Sequence, residues 1–214
     1  PDKRRRFLNQ EIAGFRPEYH YLLRDYEKIL NQRNSLLKSI HYEPSLITTL
    51  DVWDEQLIQT GVRLMNHRIR YLHRLNREAN NLHQTLSLGK ENLSLSYLNN
   101  IIDSLEELSE IKNLYQKKLE SSREDEISRG ATIYGPHVDD MIIQINGKDA
   151  RRYGSQGQQR SAAIALKLSQ IEIYYDNTGA YPVVLLDDIF SELDEHRRKS
   201  ILALLNKTQA FITC

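Results

Sequence analysis

VVLLDDIFSELD, Val183 to Asp194, runs four apolar residues into two acids and then into a short polar loop. An apolar run of this length reads as a buried strand, parallel to its neighbours. A strand ending in Asp187 and Asp188 sets carboxylates at the C-terminal edge of a sheet, where open α/β folds bind their ligands. There Asp187 is a candidate Mg²⁺ acid, holding the ion directly or through water. Asp188 is a candidate to orient or deprotonate an attacking water. Taken alone, two acids also suit an ordinary strand end. The loop that follows, Ser191, Glu192, Leu193 and Asp194, leads into a predicted helix over 195–206 with Asp194 as N-cap. A last strand is expected over 210–213.

Some twenty residues upstream of this strand lies SQGQQR, Ser155 to Arg160. Ser155 sits where a helix begins, and a predicted helical run continues to Gly179. A helix N-terminus offers unpaired N–H groups and partial positive charge, which suit a γ-phosphate. Ser155 adds a hydroxyl donor, and Gly157 lets the backbone approach closely. Gln156, Gln158 and Gln159 add polar reach without charge repulsion. An ordinary capped helix with a Gln-rich first turn has the same look. Before it, ATIYGPHVDDMIIQING (131–147) reads as two strands around a turn, Ile133 with Tyr134 and then Met141 to Ile145. Asn146-Gly147 signals a further tight turn. Within GPHVDD, His137, Asp139 and Asp140 are candidate metal ligands. They also suit a polar turn set by Gly135-Pro136. Helix, strand, helix, strand is the rhythm of an α/β sheet.

The first 128 residues read differently. Leu22, Tyr26, Ile29, Leu36 and Ile40 recur at helical steps, with Arg33 interrupting the stripe, until Pro44 breaks the pattern. A second stripe runs from Leu46 to Leu82, with gaps at Gly61 and Arg68, and would span roughly 55 Å as one helix. A third runs from about Ile101 to Ile127. Leu93, Leu95 and Tyr97 alternate between them, as a short strand or an extended loop. Sequential helices with short connections favour an antiparallel, coiled-coil-like bundle. Arg63, His67, Arg70, Arg74 and Arg77 share one face of the second helix. They can track a phosphate backbone or pair with the acidic third helix. Lys3 with Arg4, Arg5 and Arg6 forms a second basic cluster. Aromatic interleaving is weak, so duplex backbone contact is favoured over base stacking.

The 214 residues carry zero formal net charge, are 40% hydrophobic and 27% charged. Whole-chain charge therefore does not announce a nucleic-acid partner, and local charge must. The single cysteine, Cys214, excludes an internal disulfide framework and fits a reducing cytoplasm. No apolar run approaches membrane-spanning length, and PDKRRRFLNQ lacks the apolar region of a signal peptide. No GxxxxGK[ST] loop occurs; the pairs at Gly89-Lys90 and Gly147-Lys148 lack its spacing. The sequence is thus expected to be the distal part of a larger ATPase, cut from its phosphate-gripping N-terminal portion.

GPHVDD, SQGQQR, LLDDIFSELD and the terminal FIT, in that order, resemble the RecF family of DNA replication and repair proteins, ABC-type ATPases related to SMC proteins. KRRRFLN resembles the family's connector into its helical arm. The resemblance implies an α/β fold, the C-terminal half of an ABC-type ATPase head with an antiparallel helical arm. It implies a connector over 1–15, an arm over 16–128 and a head portion over 129–214. By the same resemblance SQGQQR is the ABC signature, acting in trans. Asp187 is the Walker B metal acid, Asp188 the catalytic acid, and Ser191 to Asp194 the D-loop. ATP and Mg²⁺ are the implied cofactors. The implied partners are DNA, a second ATP-bound RecF-type subunit, and RecR and RecO, which help place recombinase at gaps in DNA repair, recombination, replication and the SOS response. The implied parent is a weak DNA-dependent ATPase; these residues alone are expected not to hydrolyse ATP. Val138 stands where the family has Arg in GPHRDD. Two other readings stay open: a non-enzymatic interaction module built on the helical arm, and a metal-dependent hydrolase using His137, Asp139, Asp187 and Asp188.

Overall fold

A 37-residue helix, α3 (Leu50–Leu86), is the longest element of the chain. The computed structural model describes residues 2–102, 108–190 and 193–213. The chain folds as two compact units, residues 1–71 with 97–141 and residues 72–96 with 142–214.

The first unit is helical. It comprises α1 (Asp2–Phe15), α2 (Pro17–Ile40), a 3₁₀ turn (Pro44–Thr49), the first part of α3, and α4 (Leu108–Arg129). Pro17 opens α2 at N1, where its missing N–H costs nothing. The basic opening is helical, and its Leu8 and Ile12 are buried. Leu37, Ile40 and Leu50 form a buried apolar cluster, with Leu36, Leu46 and Ile127 against it. The polar gaps in the apolar stripes are buried, not solvated. Arg33 is inaccessible, and its Nε donates to Asp54 (2.7 Å), Nη2 to Glu126 (2.7 Å) and Nη1 to Thr132 (2.8 Å). Arg123 of α4 adds bonds to Asp51 (2.6 Å) and Asp54 (2.9 Å). At Gly61 a Cβ would meet Tyr115 at 2.8 Å, so the gap is a close approach of helices.

Ile133 and Tyr134, predicted as a strand, lie in an irregular turn instead. Their backbone is held by side chains: Ile133 N–H donates to Glu126 (2.7 Å), and Tyr134 C=O accepts from Tyr115 (3.1 Å). Gly135 adopts φ +137°, and a Cβ there would lie 2.1 Å from the Tyr115 hydroxyl. Ile101 and Ile102 lie outside helix, and α4 starts at Leu108.

The second unit carries the end of α3 and most of the α/β elements. β1 (Leu93–Leu98), β2 (Asp140–Ile145) and β3 (Lys148–Asp149) form a sheet in that order. Asn146 and Gly147 join β2 to β3 with φ of 50° and 76°, the type I′ geometry that an Asn-Gly pair favours. A short α5 (Ala150–Tyr153) precedes α6 (Gln156–Leu168) and α7 (Gln170–Thr178). The helical run predicted as one piece is thus divided at Ser169. It ends where predicted, at Gly179 in the left-handed conformation. β4 (Val183–Leu186) and β5 (Gln209–Ile212) pair in parallel around α8 (Glu195–Leu205). The expectation of a buried β4 is corrected. Only Leu186 is buried, while Val183 and Leu185 are 59% and 75% exposed. The cause is that, among the described residues, β4 has β5 as its one neighbour in a two-stranded sheet.

Candidate functional site

The signature-like segment opens α6 through a closed capping box. Gln158 N–H donates to Ser155 Oγ (3.2 Å), and Ser155 N–H donates to Gln158 Oε1 (2.9 Å). Two of the four orphan donors at the helix start are thereby used internally. The other two are the N–H groups of Gln156 and Gly157. Ser155, Gln156, Gly157 and Gln159 are exposed; Gln158 and Arg160 are half-buried. A Cβ added at Gly157 would meet nothing within 4 Å, so the chain's own fold does not require this glycine. Gln159 reaches back to Gly154 C=O (2.9 Å) and closes the preceding turn. Gln158 Nε2 donates to Glu91 (2.9 Å), whose other oxygen meets the buried His83 (2.9 Å).

The acid pair sits at the C-terminal end of β4, and both residues are exposed. Thr213, just past β5, ties them together. Its hydroxyl donates to Asp187 Oδ1 (2.5 Å) and accepts from the Asp188 N–H (3.2 Å). Thr213 N–H in turn bonds Leu186 C=O (3.0 Å). Asp188 holds φ +47°, a left-handed conformation that few residue types other than Gly, Asn and Asp adopt readily. The backbone therefore turns at Asp188, just past the strand. Thr213 was not among the candidate residues. The motif FIT contained it, but its reach across to β4 appears only once the two strands pair.

Leu193 is buried, and Asp194 caps α8 as predicted, accepting from Arg197 N–H at 2.8 Å. That bond holds the Asp194 carboxyl below the usual carboxylate range. Ser191 and Glu192 lie outside the described residues, as do Asp103, Glu106, Glu107 and Cys214. At the second residue of α8, His196 Nε2 donates to Thr85 C=O (3.0 Å) at the end of α3.

The GPHVDD residues part company. His137 Nε2 donates to Thr132 C=O (3.1 Å), so its Nδ1 accepts from the Tyr26 hydroxyl (2.8 Å). Asp139 is buried against Tyr97 and lies 3.5 Å from Arg68. Burial lifts its carboxyl to about 6 against the pull of Arg68. Asp140 binds Arg4, which holds its carboxyl low. These bonds lie inside the first unit. Both ring nitrogens of His137 are committed, which is poor ground for a metal ligand. Among the described residues no group of three or more His, Cys, Asp or Glu could hold a metal ion.

Of the basic stripe on α3, Arg63 and Arg70 are exposed and make no ion pair among the described residues, with His67 half-buried between them. Burial, with Arg16, Arg63 and Arg70 nearby, lowers the His67 imidazole, so it stays neutral near pH 7. Arg77 binds its neighbour Glu78, and Arg74 is engaged by Asp176 of α7. The expected alternative, pairing with the third helix, is not seen for any of these arginines among the described residues. No described helix is long and apolar enough to cross a membrane.

No protein-family model matches the chain. It is 46% identical over 217 residues to the DNA replication and repair protein RecF of Halothermothrix orenii, covering the whole chain and 58% of that protein. The RecF proteins of Shouchella clausii and Acetivibrio thermocellus are 43% and 40% identical over 216 and 215 residues, with the same coverage. A solved structure of the recombination mediator protein RecF-ATP in the RecFOR pathway superposes with a TM-score of 0.90 at 39% identity, over all of this chain and 57% of that one. The RecF-ATPrS structure superposes with a TM-score of 0.88. The expected fold class holds as architecture: the chain shares the α/β elements and helical arm of the solved RecF structures. The chain spans a little over half the length of these relatives.

Proposed function

We propose, from the premise that the chain is a RecF homologue along all its 214 residues, that it supplies one side of a nucleotide site shared between two subunits of a DNA-repair ATPase. Ser155 to Arg160 face the γ-phosphate of the partner's ATP. Asp187 and Asp188 serve the subunit's own nucleotide, and Ser191 to Asp194 run along the subunit boundary. The phosphate-gripping loop is not encoded in these residues, so they do not hydrolyse ATP alone.

The observation that carries this reading is the exposed capping box beside an unencumbered Gly157. Its exposed residues Ser155, Gln156 and Gly157 carry N–H and O–H donors, which bind an anion without a competing charge. Asp187 and the Thr213 hydroxyl fit a Mg²⁺ site of the open kind, in which one carboxylate and the nucleotide's own phosphates share the ion. Bound Mg²⁺–ATP would supply the reactive phosphoryl group and neutralise its charge. Asp188, in the exposed turn just past β4, then orients the attacking water and accepts its proton.

Arg63, Arg70 and Arg77, with Arg74 braced by Asp176, follow duplex phosphates along one helix face. ATP-driven dimerisation on DNA, with hydrolysis as release, then times residence at gaps where RecR and RecO help place recombinase. The decisive experiment is Gly157→Ala in a polypeptide of full RecF length. Thermal stability should be unchanged and ATP turnover should fall about tenfold or more. Undiminished turnover rejects the shared site. The rival reading, an interaction module on the arm, predicts that Arg63→Glu with Arg70→Glu leaves DNA binding intact. The reading preferred here predicts weaker binding and a shallower salt dependence.

A further inference from the structure

Glu91 lies 67 residues before Gln158, in the turn that follows α3. The turn is tightly built. Gly89 N–H bonds back to Gln84 C=O (2.8 Å), and Glu91 N–H donates to Ser87 Oγ (3.3 Å). Asn92 and Asn146 exchange two bonds of 2.8 and 2.9 Å, fixing the turn to the β2–β3 hairpin. Glu91 is thus held by its backbone before its side chain is considered.

The side chain decides an orientation. A carboxylate only accepts hydrogen bonds, so the Gln158 group facing it must be the NH₂ end. The carbonyl end of the same amide is then turned to Ser155 N–H, where it closes the capping box. With the amide reversed, both ends would meet like groups: oxygen against carboxylate, NH₂ against N–H. His83 secures the carboxylate in turn. It is fully buried, and its Nε2 donates to the second Glu91 oxygen.

Resting on the signature reading given above, we propose that Glu91, held by His83, is a positioning residue for that motif. It locks the Gln158 amide so that the box stays closed and the Ser155 hydroxyl proton stays available for a phosphate. The end of α3 also touches α8, the helix that follows the acid pair, through His196 and Thr85 C=O. The stretch 83–91 therefore braces the segments behind both nucleotide-facing motifs.

The test uses Glu91→Met, of similar length but without acceptors, and Glu91→Gln, which keeps one. In the 214-residue chain, the Gln158 side-chain NH₂ resonances should shift to solvent-like positions in E91M and less so in E91Q. In a polypeptide of full RecF length, E91M should lower kcat for ATP roughly tenfold with KM within about twofold, and E91Q should restore part of it. Unchanged Gln158 resonances overturn the proposal. So does a loss in E91M that is shared by KM or not eased in E91Q, which marks a merely structural residue. If E91M does not fold, the resonances and turnover of E91Q decide alone: wild-type values for both overturn the proposal. Ser155→Ala separates the two levels. If it lowers turnover while E91M does not, the positioning role fails and the signature reading stands; if it has no effect, both fail.

Discussion

Asp188 shows how much of a site can rest on one dihedral angle. Its φ of +47° is tolerated by Asp and Asn, whose short polar side chains bond locally, and resisted by residues with an apolar Cβ. Asp188→Asn should therefore keep the urea-unfolding midpoint while Asp188→Ala lowers stability by about 1 kcal/mol; equal midpoints would contradict a strained turn. Asp139 makes a different statement. Its buried carboxyl is lifted to about 6, from an unfolded value near the usual ~3.9. Between those values the folded chain binds more protons than the unfolded one. The contribution of Asp139 to stability is therefore full below about pH 4 and lost as pH rises through about 6. Asp140, held low by Arg4, acts in the opposite direction and at lower pH. Asp139→Asn should flatten the slope of unfolding free energy between pH 4 and 6; a slope that survives would assign the effect to other groups.

Among the elements, helices were the most legible. The stripe from Leu22 to Ile40 became α2, and the one expected from Leu46 became α3 from Leu50 on, with Leu46 in the 3₁₀ turn before it, because burial repeats every three to four residues over many turns. Short pieces were less so. Ile133 and Tyr134 have strand-like side chains, yet their backbone bonds go to Glu126 and Tyr115, contacts that no local pattern encodes. Arg33 looked like a flaw in a stripe and is instead the centre of the stripe's packing. Its partners lie 21, 93 and 99 residues away. Removing one partner of such a set leaves buried charges unmatched. Arg33→Met should cost about 3–5 kcal/mol in chemical denaturation, far more than removing the exposed Arg63; a loss below 1 kcal/mol would contradict the network's role. In the candidate site, the places of Ser155 at a helix start and of Asp187 and Asp188 at a strand end were legible, because adjacent residues set them. Thr213 and Glu91 were not, since each acts on a residue far along the chain.

At the scale of the whole molecule, charge is balanced and apolar cover is not. Val183, Leu185 and Phe211 stand 59%, 75% and 56% exposed on a two-stranded sheet, with Leu185 and Phe211 paired across it. Contiguous exposed apolar surface of this kind promotes association. The 214-residue chain should therefore self-associate with rising concentration in sizing chromatography, and Leu185→Ser with Phe211→Ser should suppress it; equal elution of variant and parent would dismiss that surface as the cause. The ionic centre of the helical unit bears on temperature. Hydration of charged groups becomes less favourable on warming, so keeping Arg33, Asp54 and Glu126 from water costs less in heat than in cold. Chilling, rather than a warm cell, is the condition that this knot of charge withstands least.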